Sequence, residues 1–146
     1  MGATASCPAS EEAKPDSGLT EKTLAQMIQC ECCEAAIYRS LAAQGPKCAR
    51  ERLLRIAEDE RCHAKRLGAL YFLMTGKKYC PEPVRGACTA CFNEALRKQY
   101  QAELEAEARY AKLAARAGEQ ACMFEALARD EGRHAKTIYC ILQQTL

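Results

Sequence analysis

Two short stretches of this sequence repeat each other and decide its fold. Residues 59–65 read DERCHAK, and residues 130–136 read DEGRHAK, 71 positions later. In each stretch a glutamate stands three positions before a histidine, and His63 and His134 are the chain's only two histidines. Side chains three positions apart on an α-helix project from the same side. Each Glu-x-x-His pair is therefore predicted to share one face of a helix.

The sequence around these stretches predicts an all-α chain with four helices. Apolar residues recur at three- and four-residue spacing, which is typical of helices that bury one face. Glycine and proline mark the ends of the segments. The predicted helices run from Leu19 to Gly45, from Pro46 to Gly76, from Phe92 to Gly118 and from about Phe124 to the end of the sequence. Their predicted inward faces include Met74 and Tyr100.

The connection between the second and third predicted helices is longer than the other two. Residues 77–89 contain two prolines and a glycine, which predicts an extended connector. Thirteen extended residues span about 43 Å, enough to follow a helix from end to end. We therefore expect residues 19–146 to form a ferritin-like four-helix bundle, two antiparallel helical hairpins joined by a long crossover, after a flexible tail at 1–18. Exchange of hairpins between two chains is the alternative.

A second repeat lies in the first and third predicted helices. Glu31 stands seven positions before Tyr38, and 72 positions later Glu103 stands seven positions before Tyr110. These glutamates lie on otherwise apolar faces, as do the glutamates of the two Glu-x-x-His pairs. Four buried carboxylates would destabilise the fold by several kcal/mol unless something neutralises them. Two divalent cations would cancel their charge.

These residue types predict a two-metal site. A glutamate from each of two helices and a Glu-x-x-His pair from each of the other two form the ligand set of di-iron and di-manganese bundles. Oxygen-rich sites with one imidazole per ion favour iron or manganese over zinc, although the residue types also admit zinc. The predicted ligands are two bridging glutamates, two terminal glutamates and two histidines: Glu60 and Glu131, Glu31 and Glu103, and His63 and His134.

Four further residues flank the predicted ligands. Asp59 and Asp130 directly precede the glutamates of the Glu-x-x-His pairs. They are expected either to accept a hydrogen bond from a ligand imidazole or to lie exposed on the helix surface. Tyr38 and Tyr110 are expected either to hydrogen-bond the ligands and relay protons or electrons, or to be ordinary core aromatics.

These motifs resemble the di-iron domain of the rubrerythrin family. The resemblance covers residues 19–145 and rests on the segments 31–38, 57–67 and 130–136. It implies a homodimeric peroxidase with two iron ions, which reduces hydrogen peroxide and protects the cell from oxidative stress.

The sequence departs from that family at two points. Rubrerythrins carry a rubredoxin domain, which these 146 residues lack, so the resemblance implies an external electron donor such as a rubredoxin-like protein. Rubrerythrins also carry a seventh carboxylate one turn beyond the third-helix ligand, where this chain has Ala106. We hypothesise that Glu34, at the pseudo-symmetric place on the first helix, takes over this catalytic role. The alternative is that Glu34 is a partly exposed surface residue.

The eleven cysteines allow several interpretations. We read no export signal, so we expect a reducing cytoplasm with free or metal-bound thiols. Three cysteines cluster on the connector and at the start of the third predicted helix, and they are candidates for zinc binding or for a redox-active dithiol: Cys80, Cys88 and Cys91. Three others are expected to be buried and to act as small apolar residues: Cys48, Cys122 and Cys140.

Composition narrows the classes of function. A formal net charge of +2 gives no reason to expect a nucleic-acid partner. No run of 18 apolar residues occurs, so we expect no membrane span. The leading hypothesis is a cytoplasmic di-iron oxidoreductase that uses hydrogen peroxide or oxygen. The alternatives are a ferroxidase or iron-handling protein of the same fold, and a non-catalytic cysteine-rich metal-binding protein.

Overall fold

The structure, a computed structural model, describes residues 18–84 and 91–146. These residues hold four long helices and no strand, which confirms the predicted all-α class. The helices are α1 (Glu21–Gln44), α2 (Lys47–Thr75), α3 (Phe92–Ala114) and α4 (Ala121–Thr145), and a 3₁₀ turn (Gly118–Gln120) precedes α4. The predicted tail lies almost wholly outside the described residues, as does the part of the connector that contains Cys88.

Local sequence signals place the helix ends. The hydroxyl of Thr20 accepts a hydrogen bond from the backbone N–H of Thr23 (3.1 Å), and the Thr23 hydroxyl accepts one from the backbone N–H of Thr20 (2.8 Å). This reciprocal cap satisfies donors at the start of α1 that have no partner within the helix. Gly45 ends α1, and Gly76, at a left-handed φ of 69°, ends α2. Both ends agree with the prediction.

The third helix ends earlier than predicted. It stops at Ala114, whereas the sequence predicted Gly118. Its last turn tightens, because the backbone N–H of Arg116 donates to the carbonyl of Leu113, three residues back (3.0 Å). Such tightening is common where a helix runs out of i→i+4 partners.

The helices pack as two antiparallel pairs. The phenol of Tyr71, near the end of α2, donates a hydrogen bond to Glu21 at the start of α1 (2.9 Å). At the corresponding place in the other pair, the hydroxyl of Thr145 at the end of α4 donates to Asn93 at the start of α3 (2.9 Å). The end of one helix therefore lies beside the start of its partner in both pairs.

The core consists of two apolar clusters with a charged layer between them. One cluster contains Leu24, Leu67, Tyr110 and Phe124, and the other contains Leu53, Leu96, Ile138 and Ile141. Between them along the helices lies a layer of buried glutamate and histidine side chains. The charged groups are thus shielded from water by apolar residues above and below.

Of the residues predicted to face inward, Met74 does not, and Tyr100 does so only in part, where it packs against the second apolar cluster. Met74 is 47% exposed, because it lies beyond Tyr71, which already contacts the first residue of α1. On α3 it is Gln99 that is buried, whereas its neighbour Tyr100 is only half-buried. None of the described helices combines the length and the hydropathy that crossing a bilayer requires.

Candidate metal centre

The structure brings all six predicted ligands into the charged layer. Their exposed fractions are between 0% and 2%, so each is removed from water. They come from all four helices: Glu31 from α1, Glu60 and His63 from α2, Glu103 from α3, and Glu131 and His134 from α4. Buried carboxylates in this number require compensating positive charge.

The six residues form two groups that could each hold a metal ion. Within each group, one potential ligand atom per residue lies within 4.8 Å of all the others. Glu60 and Glu131 belong to both groups, as expected of bridging ligands. The first group adds Glu31 and His63, and the second adds Glu103 and His134.

The two shared glutamates divide their oxygens between the two histidines. Nδ1 of His63 lies 3.1 Å from Oε2 of Glu60 and 3.2 Å from Oε1 of Glu131. Nδ1 of His134 lies 3.0 Å from Oε1 of Glu60 and 3.2 Å from Oε2 of Glu131. Each carboxylate therefore directs one oxygen to each half of the site, which is the arrangement that a bridge between two ions needs.

The spacing of these atoms is compatible with bound cations. One oxygen of each glutamate has no hydrogen-bond partner, although it is fully buried. The unpartnered oxygens of Glu31 and Glu103 lie 3.4 Å and 3.5 Å from Nδ1 of His63 and His134. Two atoms that bind one ion at about 2.1 Å, at angles of about 90° to 110°, stand about 3.0–3.4 Å apart. The donor set therefore suits one ion in each half.

The two aspartates bond to the imidazoles across the molecule. Nε2 of His63 donates to Asp130 (2.9 Å), and Nε2 of His134 donates to Asp59 (3.0 Å). An aspartate on the outer nitrogen fixes the tautomer and leaves Nδ1 free to bind a metal. Of the two expectations for these aspartates, the hydrogen-bonded one is confirmed. The crossed pairing, in which each histidine uses the aspartate of the opposite helix, was not predicted.

The two tyrosines also bond across the molecule. Tyr38 on α1 donates its hydroxyl proton to Oε1 of Glu103 on α3, and Tyr110 on α3 donates to Oε1 of Glu31 on α1. Both tyrosines are fully buried. Burial first, and then the adjacent carboxylate charge, raises the pKa of each phenol well above its usual value. Each terminal glutamate is therefore held by a neutral phenol and keeps its second oxygen for the shared centre.

Without metal, protons would balance part of the charge. Burial opposes protonation of His134, but the adjacent carboxylates of Glu103, Glu131 and Glu60, which favour the charged imidazolium, raise its pKa to about 12. The pKa of His63 is raised in the same way by its three glutamates. Burial raises the pKa of Glu60 to about 7 and that of Glu103 to about 8. Metal ions would displace these protons, because only unprotonated ligands bind them.

Glu34 is buried, as its proposed catalytic role requires. Its exposed fraction is 8%, so the alternative of a partly exposed surface residue is wrong. Burial and the charges of the glutamates in the centre raise its pKa to about 9. The thiol of Cys30 donates to its Oε1 at 3.9 Å. Glu34 is not part of either group of potential ligands, and its pseudo-symmetric counterpart Ala106 is buried in the apolar cluster.

Two residues near the centre escaped the sequence analysis. Gln99 lies one turn before Glu103 on α3, is 8% exposed and has an Nε2 without a hydrogen-bond partner. The sequence did contain a signal for Gln99, because its amide side chain interrupts the apolar stripe of the helix. Arg133 lies 3.1 Å from Asp59 and 2.9 Å from Asp130. No feature of the sequence alone could show that one arginine reaches aspartates on two helices.

The cysteines of the described residues supply no ligand to either group of the centre. The expectation that Cys48, Cys122 and Cys140 are buried is wrong, because all three lie on outward helix faces and are exposed. Cys80 and Cys91 are exposed as well, and Cys88, the third member of their predicted cluster, is outside the described residues. Among residues 18–84 and 91–146, the groups able to hold a metal contain glutamate and histidine and no cysteine.

Comparisons of the chain with protein-family models, curated proteins and solved structures found no match. The rubrerythrin resemblance therefore rests on the motifs quoted above. Function has to be inferred from the geometry and chemistry of the centre itself.

Proposed function

We propose that this chain is a non-haem di-iron oxidoreductase that reduces hydrogen peroxide. The observation that carries the proposal is the placement of Glu60 and Glu131, each with one oxygen directed to each histidine. Two ions bound side by side can act together on one small oxidant. Six ligands dominated by carboxylate favour iron, with manganese as the nearest substitute.

The proposal includes a ferritin-like bundle with a long crossover. Two contacts between the pairs support it, Tyr38 with Glu103 and Tyr110 with Glu31, because their order makes α1 antiparallel to α3. α2 and α3 then run in the same direction, so the connector has to return along the bundle. Residue Glu82 of the connector already lies beside α1, where its backbone N–H donates to Gln29 (2.8 Å).

The far end of the connector also supports a crossover within one chain. The ring of Phe92, at the start of α3, lies so close to Gly45 that a Cβ there would be 2.2 Å from it. The connector thus begins beside the start of α1 and finishes beside its end. The nine steps along the chain from Glu82 to Cys91 can reach about 30 Å when extended, which exceeds the rise of about 24 Å along α1 from Gln29 to Gly45. Exchange of hairpins between two chains is not needed to close this distance.

In the proposed reaction, hydrogen peroxide, two electrons and two protons give two molecules of water. A ferrous pair held by the six glutamate and histidine ligands would supply the two electrons. Tyr38 and Tyr110 hold the terminal carboxylates, and the apolar clusters keep water out. Glu34, whose burial favours the protonated carboxyl by raising its pKa, can deliver a proton. A cleft between α1 and α3 is lined by Met27, Cys30 and Arg109, and the Cys30 thiol at its wall contacts Glu34.

Two further parts of the proposal follow from the resemblance alone. After turnover an external donor, such as a rubredoxin-like protein, has to return two electrons. The working unit is proposed to be a homodimer. Both can be examined once the metal content is known.

Stopped-flow mixing of the ferrous protein with hydrogen peroxide and, separately, with oxygen tests the reaction. We expect peroxide to oxidise the centre faster, with no more than two iron ions kept per chain. Glu131→Gln, treated identically, is the matched control for iron bound elsewhere. Faster oxidation by oxygen, with further iron retained, would instead identify a ferroxidase or iron-handling protein. A protein that binds no iron but holds zinc through its thiols would be a non-catalytic metal-binding protein.

A further inference from the structure

Arg133 joins the two outer parts of the centre. Its Nη2 lies 3.1 Å from Oδ2 of Asp59 and 2.9 Å from Oδ1 of Asp130. These aspartates accept the hydrogen bonds from Nε2 of His134 and His63 (3.0 Å and 2.9 Å). One guanidinium nitrogen therefore contacts the hydrogen-bond partners of both predicted ligand imidazoles.

The internal repeat does not account for this contact. The position equivalent to Arg133, 71 residues earlier, holds Cys62, so the two halves share one arginine. The aspartate side chains are 38% and 21% exposed, and the arginine side chain is 61% exposed. Water can therefore compete for both carboxylates. A charge-assisted contact to a planar guanidinium restricts their orientation more than water does.

We propose that Arg133 is a positioning residue that orients Asp59 and Asp130 together, and so holds both imidazoles with Nδ1 directed at the two ions. This inference rests on the proposed two-metal centre. Arg133 lies at the surface and would contact neither ion, but it would affect metal binding in both halves of the centre.

Binding of Co²⁺ to the metal-free protein gives a readout that does not depend on activity. The absorption bands of Co²⁺ report ligand geometry, and titration gives the affinity of each half. Arg133→Gln removes the charge and the fork of donors. Arg129→Gln is the matched control, because it removes an exposed arginine one turn away on the same helix. Asp59→Asn and Asp130→Asn show how much Co²⁺ affinity is lost when a single histidine loses its aspartate partner.

Loss of an outer partner typically weakens metal binding by about tenfold to a hundredfold. We expect Arg133→Gln to weaken Co²⁺ binding about tenfold in both halves. Asp59→Asn and Asp130→Asn should each weaken Co²⁺ binding mainly in one half. The Co²⁺ affinity of Arg129→Gln should stay within about twofold of the parent. In the zinc-loaded protein, Arg133→Gln should shift the ¹⁵N signals of both histidine Nε2 atoms. Its melting temperature without metal should match that of Arg129→Gln.

Unchanged affinities and histidine signals in Arg133→Gln would overturn this inference alone, as would a change confined to one half. If the parent protein takes up fewer than two Co²⁺ per chain, the two-metal centre fails, and this inference fails with it. The two failures are thus distinguished by the behaviour of the parent chain.

Discussion

The α1–α2 pair and the α3–α4 pair supply the same residue types to the interior, a glutamate from the first helix and a Glu-x-x-His pair from the second. The two pairs differ in the residues one helical turn from these ligands and in the residues on the outer surface. Glu34 corresponds to Ala106, and Cys62 corresponds to Arg133. The inward residues depend on each other, because each buried carboxylate needs the same compensating charge. Outward residues can be satisfied by water, so they are free to differ between the halves.

The largest effect should come from the bridging glutamates. Glu60→Gln removes a ligand that belongs to both groups, so we expect the metal content to fall below one ion per chain. Glu31→Gln removes a ligand of only one group and should leave one ion tightly bound. Metal analysis after anaerobic loading and gel filtration measures both. Retention of one tightly bound ion by Glu60→Gln would mean that the halves are independent.

Removal of metal should lower the thermal stability of the parent protein strongly. A ligand present at a thousandfold over its dissociation constant stabilises the native state by about 4 kcal/mol per site. For a domain of this size that corresponds to roughly 10 °C in Tm per site. Calorimetry with and without a chelator measures the shift, and Glu60→Gln should show little of it. An equal response from both proteins would place the stabilising metal elsewhere.

Each tyrosine should affect the ligands that come from the other helical pair. Tyr38→Phe removes the donor to Glu103 and leaves a buried carboxylate oxygen unsatisfied. We expect the metal-free protein to lose about 1–3 kcal/mol in urea unfolding. In the zinc-loaded protein the NMR signals of His134, on α4, should move more than those of His63. Tyr110→Phe is the matched variant, with the reverse pattern expected.

Glu34, which has no carboxylate counterpart in the other helical pair, should affect the rate of the reaction with peroxide and not the metal content. Glu34→Gln keeps the volume and removes the acidic proton, so we expect at least about a tenfold slower reaction with peroxide. Metal content should remain that of the parent. Glu105→Gln, an exposed carboxylate on α3, is the control. An unchanged rate and an unchanged metal content would remove Glu34 from the mechanism.

The smallest effects should come from the outer cysteines. Serine at Cys48, Cys122 or Cys140 should change the free energy of unfolding by no more than about 0.5 kcal/mol, because these side chains are exposed. All three should react quickly with a thiol reagent in the folded protein. Slow labelling together with a large loss of stability would restore the buried interpretation.

The sequence predicted the helices and the six inward ligands because both depend on periodicity. A glutamate or histidine that interrupts an apolar stripe has to lie inside, whatever the neighbouring helices are. The same reasoning failed for Met74, which lies on its stripe but beyond the end of the partner helix. It also failed for the exposed cysteines, whose burial was assumed from residue type and not from position on a face.

The sequence by itself determined that four helices form and that their inner faces carry four glutamates and two histidines. Helix periodicity is a local property, so it can be read from spacing along the chain. Only the tertiary structure decided which groups meet: Tyr38 with Glu103, His63 with Asp130, and Arg133 with two aspartates at once. These contacts depend on the rotation and relative height of packed helices. Those quantities follow from side-chain packing across the whole core, which no single stretch of sequence contains.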